Sequence, residues 1–321
     1  MQSAKNFISE SFFVLFVAVI FLGSAGCGSG DDSAQKTEKT VEQSQPLLVF
    51  VSILPQKTFV KQIAGERADV HVMVPPGQSP ATYELNSRQL AMLEDADIYF
   101  TIGVPFEKSW MERIKNVNPK MQIIDTAKDI KLRSFKDHLF KDDDNNVQQV
   151  NDKTGMKDPH IWLDPNLVKI QARNICTALK NYDQHTSKFY DKNLTEFTKK
   201  LTELDQYIRK QLEGLKNRIL LVYHPSWGYF TDSYDLQQVA IQHDGKDPGA
   251  KRLERLTGYM QEENITTIFV QKQFSQASAK AIANSVNADV VSLNPLPAEY
   301  FTTMKEVAGK IAQSAQKAPD K

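Results

Sequence analysis

The chain has 321 residues, with 39 Lys and Arg against 39 Asp and Glu, and is 41% hydrophobic and 24% charged. This ordinary globular composition excludes collagen-like, wholly disordered and multispan membrane chains, and zero net charge removes the electrostatic footprint of a general nucleic-acid binder. Two cysteines make neither a disulfide framework nor a four-cysteine zinc site, and the length suits two lobes of roughly 130 residues each.

The N-terminus carries an export signal. Lys5 gives a thin basic region, Phe12 to Leu22 is an unbroken apolar run, and Gly23-Ser24-Ala25-Gly26 leads into Cys27. A run of this length is signal-peptide sized and too short to span a bilayer. The Ala-Gly-Cys ending resembles a bacterial lipobox, whose cysteine is lipidated and becomes the first mature residue. Ser24 stands where a lipobox usually has Leu, so a plain secretory signal cut nearby, or a retained anchor, is the alternative. Lipidation at Cys27 would anchor the protein to a membrane without spanning it. Removing residues 1–26 takes away Lys5 and Glu10, which leaves the charge balance at zero. Residues Gly28 to Gln45 (GSGDDSAQKTEKTVEQSQ) hold too little apolar surface to order themselves and read as a flexible tether.

From Leu47 short apolar runs alternate with helical patterns. Residues 47–53 read as a buried strand, and Pro55 opens a short helix closed by Gly65. Residues 69–74 form a strand, 87–96 a serine-capped helix, 97–103 a strand, 106–116 a helix and 121–125 a strand. Lys136 to Lys157 (with KDDDNN and QQVNDKTG) interrupts this alternation and reads as a polar surface loop. Cys176 lies in a helical pattern as a buried structural thiol.

Lys188 to Asn217 is the clearest helix. Phe189, Leu194, Phe197, Leu201, Leu204, Ile208, Leu212 and Leu215 draw one apolar stripe free of Gly and Pro before Gly214. At about 1.5 Å per residue it would run roughly 45 Å, enough for a spine between two lobes. The alternation then restarts, with strands at 218–224, 236–241, 266–270 and 289–293, helices between them, and a final helix from Glu299. The expected architecture is α/β, with two pseudo-duplicated lobes, each a mostly parallel sheet with flanking helices, joined by one long rigid helix. The expected layout is a signal peptide over 1–26, the lipidated Cys27 and tether over 27–46, lobes over 47–182 and 218–321, and the linking helix over 183–217.

Ligands of such sheets bind at the carboxyl ends of strands. Those ends carry PPGQSPATYEL, HPSWGYF, QKQFS and NPL, and DPHIWLDP stands at 158–165. His160 and His224 sit in these turns beside prolines that fix the backbone. Imidazole is a common ligand of zinc and related ions, and on spacing alone metal ligation and satisfied core histidines both remain open.

DPHIWLDP, YHPSWGYF, IQHDGKDPGAKRL, IFVQKQFSQASAKAIA and VSLNPL together resemble the zinc- and manganese-binding solute-binding proteins of bacterial ABC importers, over about Leu47 to Ala315. The resemblance implies a metal site in an interlobe cleft, with Zn2+ or Mn2+ as transported ligand, and delivery to an ABC permease. It also implies an extracytoplasmic, lipid-anchored and monomeric protein that is not an enzyme and binds no nucleic acid. His160 and His224 match the family's second and third ligands. The first, a histidine, is replaced by Ala81 in Gly77-Gln78-Ser79-Pro80-Ala81-Thr82-Tyr83-Glu84. The fourth, an aspartate, is replaced by Asn294 in Leu293-Asn294-Pro295-Leu296. The family's His-rich loop is also missing, and only His138 lies there.

Such a site loses an imidazole and its anion, which should weaken zinc affinity by orders of magnitude. Asn294 is the candidate oxygen ligand, with a lobe-bridging hydrogen-bonding role as its alternative. Glu84, Gln271 or water are possible substitutes, Glu84 otherwise serving to hold its own turn. His71, His185 and His243 read as surface or strand residues. A ligand-degenerate paralogue, binding another small ligand or acting as a scaffold or adhesion protein, is the competing reading. The sequence has no HExxH, no serine nucleophile elbow and no Gly-rich phosphate loop after a strand.

Overall fold

The computed structural model describes residues 45–141, 147–149, 157–242, 246–271, 273 and 276–317. The expected signal segment, Cys27, most of the tether and His243 lie outside the described residues, as does much of the 136–157 stretch.

The first lobe contains a four-stranded parallel sheet of β1 (Leu47–Val51), β2 (Ala68–Val72), β3 (Ile98–Thr101) and β4 (Gln122–Asp125). It alternates with helices α1 (Leu54–Ala64), α2 (Ser87–Leu93) and α3 (Pro105–Val117). Beyond it come β5 (Lys136–Lys141), β6 (Val147–Gln149), α4 (Pro165–Tyr182) and α5 (Ser187–Gln211). The second lobe contains a parallel sheet of β7 (Ile219–Val222), β8 (Gln237–Ala240), β9 (Thr267–Val270) and β10 (Asp289–Ser292), with α6 (Gly228–Ser233), α7 (Ala250–Glu262), α8 (Gln276–Val286) and α9 (Tyr300–Lys317). The sheet orders are β2-β1-β3-β4 and, read from the opposite edge, β8-β7-β9-β10. In both, the first strand lies inside, the second outside it, and the third and fourth extend the other way. This shared order is the structural form of the pseudo-duplication.

Three local expectations need correction, the first being the cap of α2, which is Asn86 rather than Ser87 and accepts Gln89 N at 2.9 Å. The polar stretch after residue 135 is not simply a loop, because β5 and β6 pair antiparallel across it, and β5 lies against β8. Leu139, Phe140 and Val147 are residue types that favour strands. The long helix also stops at Gln211 rather than Asn217. Gly214 takes φ +70°, the left-handed geometry that commonly ends a helix, and Leu212 turns inward to complete burial. Along α5 the buried row is Tyr190, Phe197, Leu201, Leu204 and Ile208, while Phe189 is exposed beneath the guanidinium of Arg67.

Helix α5 packs on α1, α4 and α9, with Phe197 meeting Phe59 of α1 and Phe301 of α9. A continuous apolar core runs from the first sheet through α5 to Leu220, Val222, Phe269, Leu293 and α9. Leu221, Tyr223, Val239, Ile268 and Val270 form a separate core beneath α7 and α8. One face of the second sheet therefore shares its core with the first lobe. Polar ties reinforce that junction. Trp162 Nε1 donates to Pro295 O at 2.6 Å, Tyr300 OH to Trp162 O at 2.8 Å, and Thr58 Oγ1 to Ala298 O at 2.7 Å. No helix among the described residues is long and apolar enough to cross a membrane.

Candidate metal centre

The segment 158–165 folds as it does for reasons visible in its residues. Ile161, Trp162 and Leu163 are buried and form one turn of 3-10 helix. Asp164 caps α4 by accepting from Asn166 N at 2.8 Å, and Pro165 occupies the first turn, where a missing N–H costs nothing. Asp164 also accepts Ser233 Oγ from α6 at 2.7 Å, and burial pushes its carboxyl above the ordinary value. The turn is thereby tied into the second lobe, and His160 stands at its start.

His160 and His224 meet. Their ring centroids are 5.6 Å apart with planes at 73°. Trp162 lies 5.1 Å and Phe135 6.5 Å from the His160 ring, centroid to centroid, so aromatic rings flank His160.

Each imidazole is held through Nδ1. His160 Nδ1 lies 2.7 Å from Asp158 Oδ1, which also accepts the His160 backbone N–H at 3.0 Å. His224 Nδ1 lies 3.1 Å from Gln242 Oε1. A carboxylate or amide oxygen can only accept, so Nδ1 is the donor in both rings. The Gln242 orientation is set in turn by Nε2 donating to Asp247 Oδ1 at 3.3 Å, and Tyr223 OH donates to the same oxygen at 2.7 Å. Burial, aided by the neighbouring His160, pushes the His224 imidazolium pKa down to about 3. His224 is neutral at physiological pH, the state a metal ligand needs.

The remaining candidates occupy different settings. His224, Gln242, Gln271 and Asn294 follow β7, β8, β9 and β10, so they form a row across the carboxyl edge of the second sheet. Gln271 is buried and fully engaged: Oε1 accepts His224 N at 3.3 Å, and Nε2 donates to His224 O and Ser226 Oγ, both at 2.8 Å. Asn294 Oδ1 closes its own turn by accepting Leu296 N at 3.1 Å. That turn is latched to the His160 turn through Trp162 and Pro295. Glu84 and Ala81 are exposed on the segment after β2, which Phe106 N anchors by donating to Pro80 O at 3.1 Å. No group of three or more His, Cys, Asp or Glu poised for a metal occurs among the described residues. The candidate donors drawn together are two imidazoles. Sequence reasoning missed Asp158 and Gln242; Asp158 was visible two residues before His160, whereas nothing in the sequence pairs Gln242 with His224.

The family model of zinc-uptake complex component A periplasmic, ZnuA, matches residues 49–314. The chain belongs to this family of zinc and manganese solute-binding proteins. It is 25% identical over 284 residues to the high-affinity zinc uptake system protein ZnuA of Bacillus subtilis (strain 168), covering 87% of this chain and 86% of that one. It is 25% identical over 311 residues to the manganese ABC transporter substrate-binding lipoprotein PsaA of Streptococcus mitis, covering 94% and 92%. A crystal structure of ZnuA superposes with a TM-score of 0.77 at 37% identity, over 84% of this chain and 99% of that one. Family members are transporter solute-binding proteins, and several relatives are lipoproteins by name.

Proposed function

We propose that this chain is the extracytoplasmic solute-binding protein of an ABC importer, capturing Zn2+ or Mn2+ between its lobes and delivering it to a permease. The observation that carries this reading is the convergence of His160 and His224, both half-buried, with each ring held at Nδ1 by an acceptor oxygen. Asn294 is the third donor in this reading, as an amide oxygen at the end of β10, and water completes the shell. Gln271 instead holds the main chain of His224, since all its polar atoms are already engaged there. Two imidazoles without an anionic ligand bind zinc less tightly than a four-ligand site.

The same reading makes the protein a monomeric binding protein, not an enzyme, with no nucleic-acid partner. Its lobes fall at 47–182 and 218–321 around the connecting segment 183–217, and it is exported and anchored by lipid at Cys27. Correspondence along most of the length of transporter receptors favours it over a scaffold that lost its cargo.

The test is calorimetric titration of the full chain in detergent with Zn2+ and with Mn2+, beside His160→Ala and His224→Ala. Saturable 1:1 binding that either variant weakens at least a hundredfold is the expected result. Binding absent from the wild type, or indifferent to both substitutions, overturns the reading.

A further inference from the structure

Asp158 is 1% exposed at its side chain and sits where the two lobes lock together. Its Oδ1 takes both N–H groups of His160. Its backbone oxygen accepts Tyr229 OH at 2.8 Å, and that same hydroxyl oxygen accepts Arg133 N at 2.9 Å. The guanidinium of Arg133, 11% exposed, lies over the Tyr229 ring and approaches Asp158 Oδ2 at 4.0 Å and Asp232 Oδ2 at 3.4 Å. Gly228 makes this arrangement possible. A Cβ there would collide with Arg133 Nη1 and stand 2.8 Å from Asp158 Oδ2.

This is more machinery than a core histidine requires. A buried carboxylate costs several kcal/mol of desolvation, and a cation brought in to balance it costs more. Arg133 Nε, Arg133 Nη1 and Asp158 Oδ2 are buried yet complete no hydrogen bond among the described residues. The pair is thus poorly optimised for stability alone. What it does achieve is a single tautomer and a single ring orientation for His160, because an anionic acceptor on Nδ1 favours the proton there. It also raises the basicity of Nε2, as carboxylate partners do for metal-bound histidines. His224 has only the neutral amide of Gln242 in the corresponding place.

We propose that Asp158, fixed by Arg133 and Tyr229 above the space left by Gly228, is the positioning residue of the metal centre, holding His160 with Nε2 open and supplying beside the imidazole the negative charge that Asn294 lacks. This inference rests on the importer reading for its metal, though its structural half does not.

The experiment uses the full chain in detergent, labelled with 15N histidine and free of metal at pH 8. Long-range 1H–15N spectra report which ring nitrogen of His160 carries the proton, and parallel samples are titrated with Zn2+. The expected wild-type result is a proton on Nδ1 of His160. In Asp158→Asn the proton shifts in part to Nε2, because the new amide can donate to Nδ1, and Zn2+ binds about 10–100-fold more weakly. Asp158→Asn leaves Arg133 with Asp232 as its one remaining carboxylate partner among the described residues, and a buried cation so underbalanced can unfold the protein. Asp158→Asn with Arg133→Met removes both charges and is expected to give the same tautomer shift and the same loss. A proton on Nε2 in the wild type, or Zn2+ binding undiminished in both variants, overturns the proposal. If the wild type binds neither Zn2+ nor Mn2+, the importer reading falls, and the His160 tautomer by itself decides the positioning claim.

Discussion

The carboxyl edge of the first sheet is filled by its own lobe, whereas that of the second carries the candidate ligand residues. Gln56, fully buried, accepts Ser52 N at 3.0 Å and donates to Thr101 O at 3.2 Å and to Thr126 Oγ1 at 3.1 Å. Glu107 accepts Ile102 N at 2.9 Å and Gly103 N at 2.8 Å, and bonds Ser52 Oγ, which also meets Tyr99 OH at 2.7 Å. These bonds satisfy groups that a cleft would otherwise leave for a ligand. At the carboxyl ends of the second sheet's strands stand His224, Gln242, Gln271 and Asn294. One topology therefore serves two purposes: a closed polar plug gives rigidity in the first sheet, and in the second the strand ends carry the imidazole and amide groups of the candidate site. The first lobe brings His160 to the pair from outside its sheet, and at the turn after β2 stands Ala81, where the sequence resemblance implies a ligand position.

The sharpest way to break this comparison is to restore what is missing. Structural zinc sites of four ligands are worth roughly 10–16 kcal/mol, or about 3 kcal/mol per ligand. Ala81→His with Asn294→Asp should therefore raise Zn2+ affinity by roughly a thousandfold or more, measured by competition with a chelator. An unchanged affinity would mean that the turn after β2 does not face the histidines, and the asymmetry between lobes would need another account. The loss expected from His160→Ala or His224→Ala is next in size, about 3 kcal/mol by the same reasoning.

The fold was legible because its signals are local and repeated. Val49 to Val51 and Thr267 to Val270 read as buried strands on composition alone, and the α5 stripe on spacing alone. The end of α5 was not, because Leu212 and Leu215 continue the apolar spacing past the point where the backbone turns at Gly214. The pairing of β5 with β6 escaped because acidic and amide residues dominate that stretch. At the site, the two histidines were visible as turn residues after strands and beside prolines. Their partners were not: Gln242 reaches His224 across neighbouring strands, and Arg133 reaches Asp158 over a gap in sequence that no periodicity marks.

The plug can be tested by pH. Burial raises the Glu107 carboxyl pKa to about 7, against 4.5 in the unfolded chain. Below pH 4.5 both states are protonated and the folded form loses nothing. Between 4.5 and 7 the unfolded chain releases its proton while the folded one retains it, so stability falls as pH rises through this window. The total is about 3 kcal/mol at one pKa unit per 1.4 kcal/mol. Denaturant melts at pH 5 and pH 8 should show this loss in the wild type and not in Glu107→Gln. That variant is less stable at both, since its amide nitrogen faces Gly103 N–H. Equal pH slopes in the two proteins would show that Glu107 is already ionised at pH 5 and that the plug is held by a carboxylate.

The smallest effect tests the link between site and scaffold. Gly228 and Gly258 both lie in helices, α6 and α7. A Cβ at Gly258 meets nothing within 4 Å, so Gly258→Ala should stabilise by about 0.5–1 kcal/mol through helix propensity alone. At Gly228 the same methyl group must displace the Arg133 guanidinium and crowd Asp158 Oδ2. Arg133 is nearly buried, so its movement costs about 1–3 kcal/mol, the range for overpacking a core. If Arg133 and Asp158 only fasten the lobes, Gly228→Ala lowers the melting temperature and leaves Zn2+ affinity alone. If they orient His160, affinity falls several-fold as well, while Gly258→Ala moves stability only. Stability and affinity changing together at one glycine and separately at the other is the pattern that a positioning role requires.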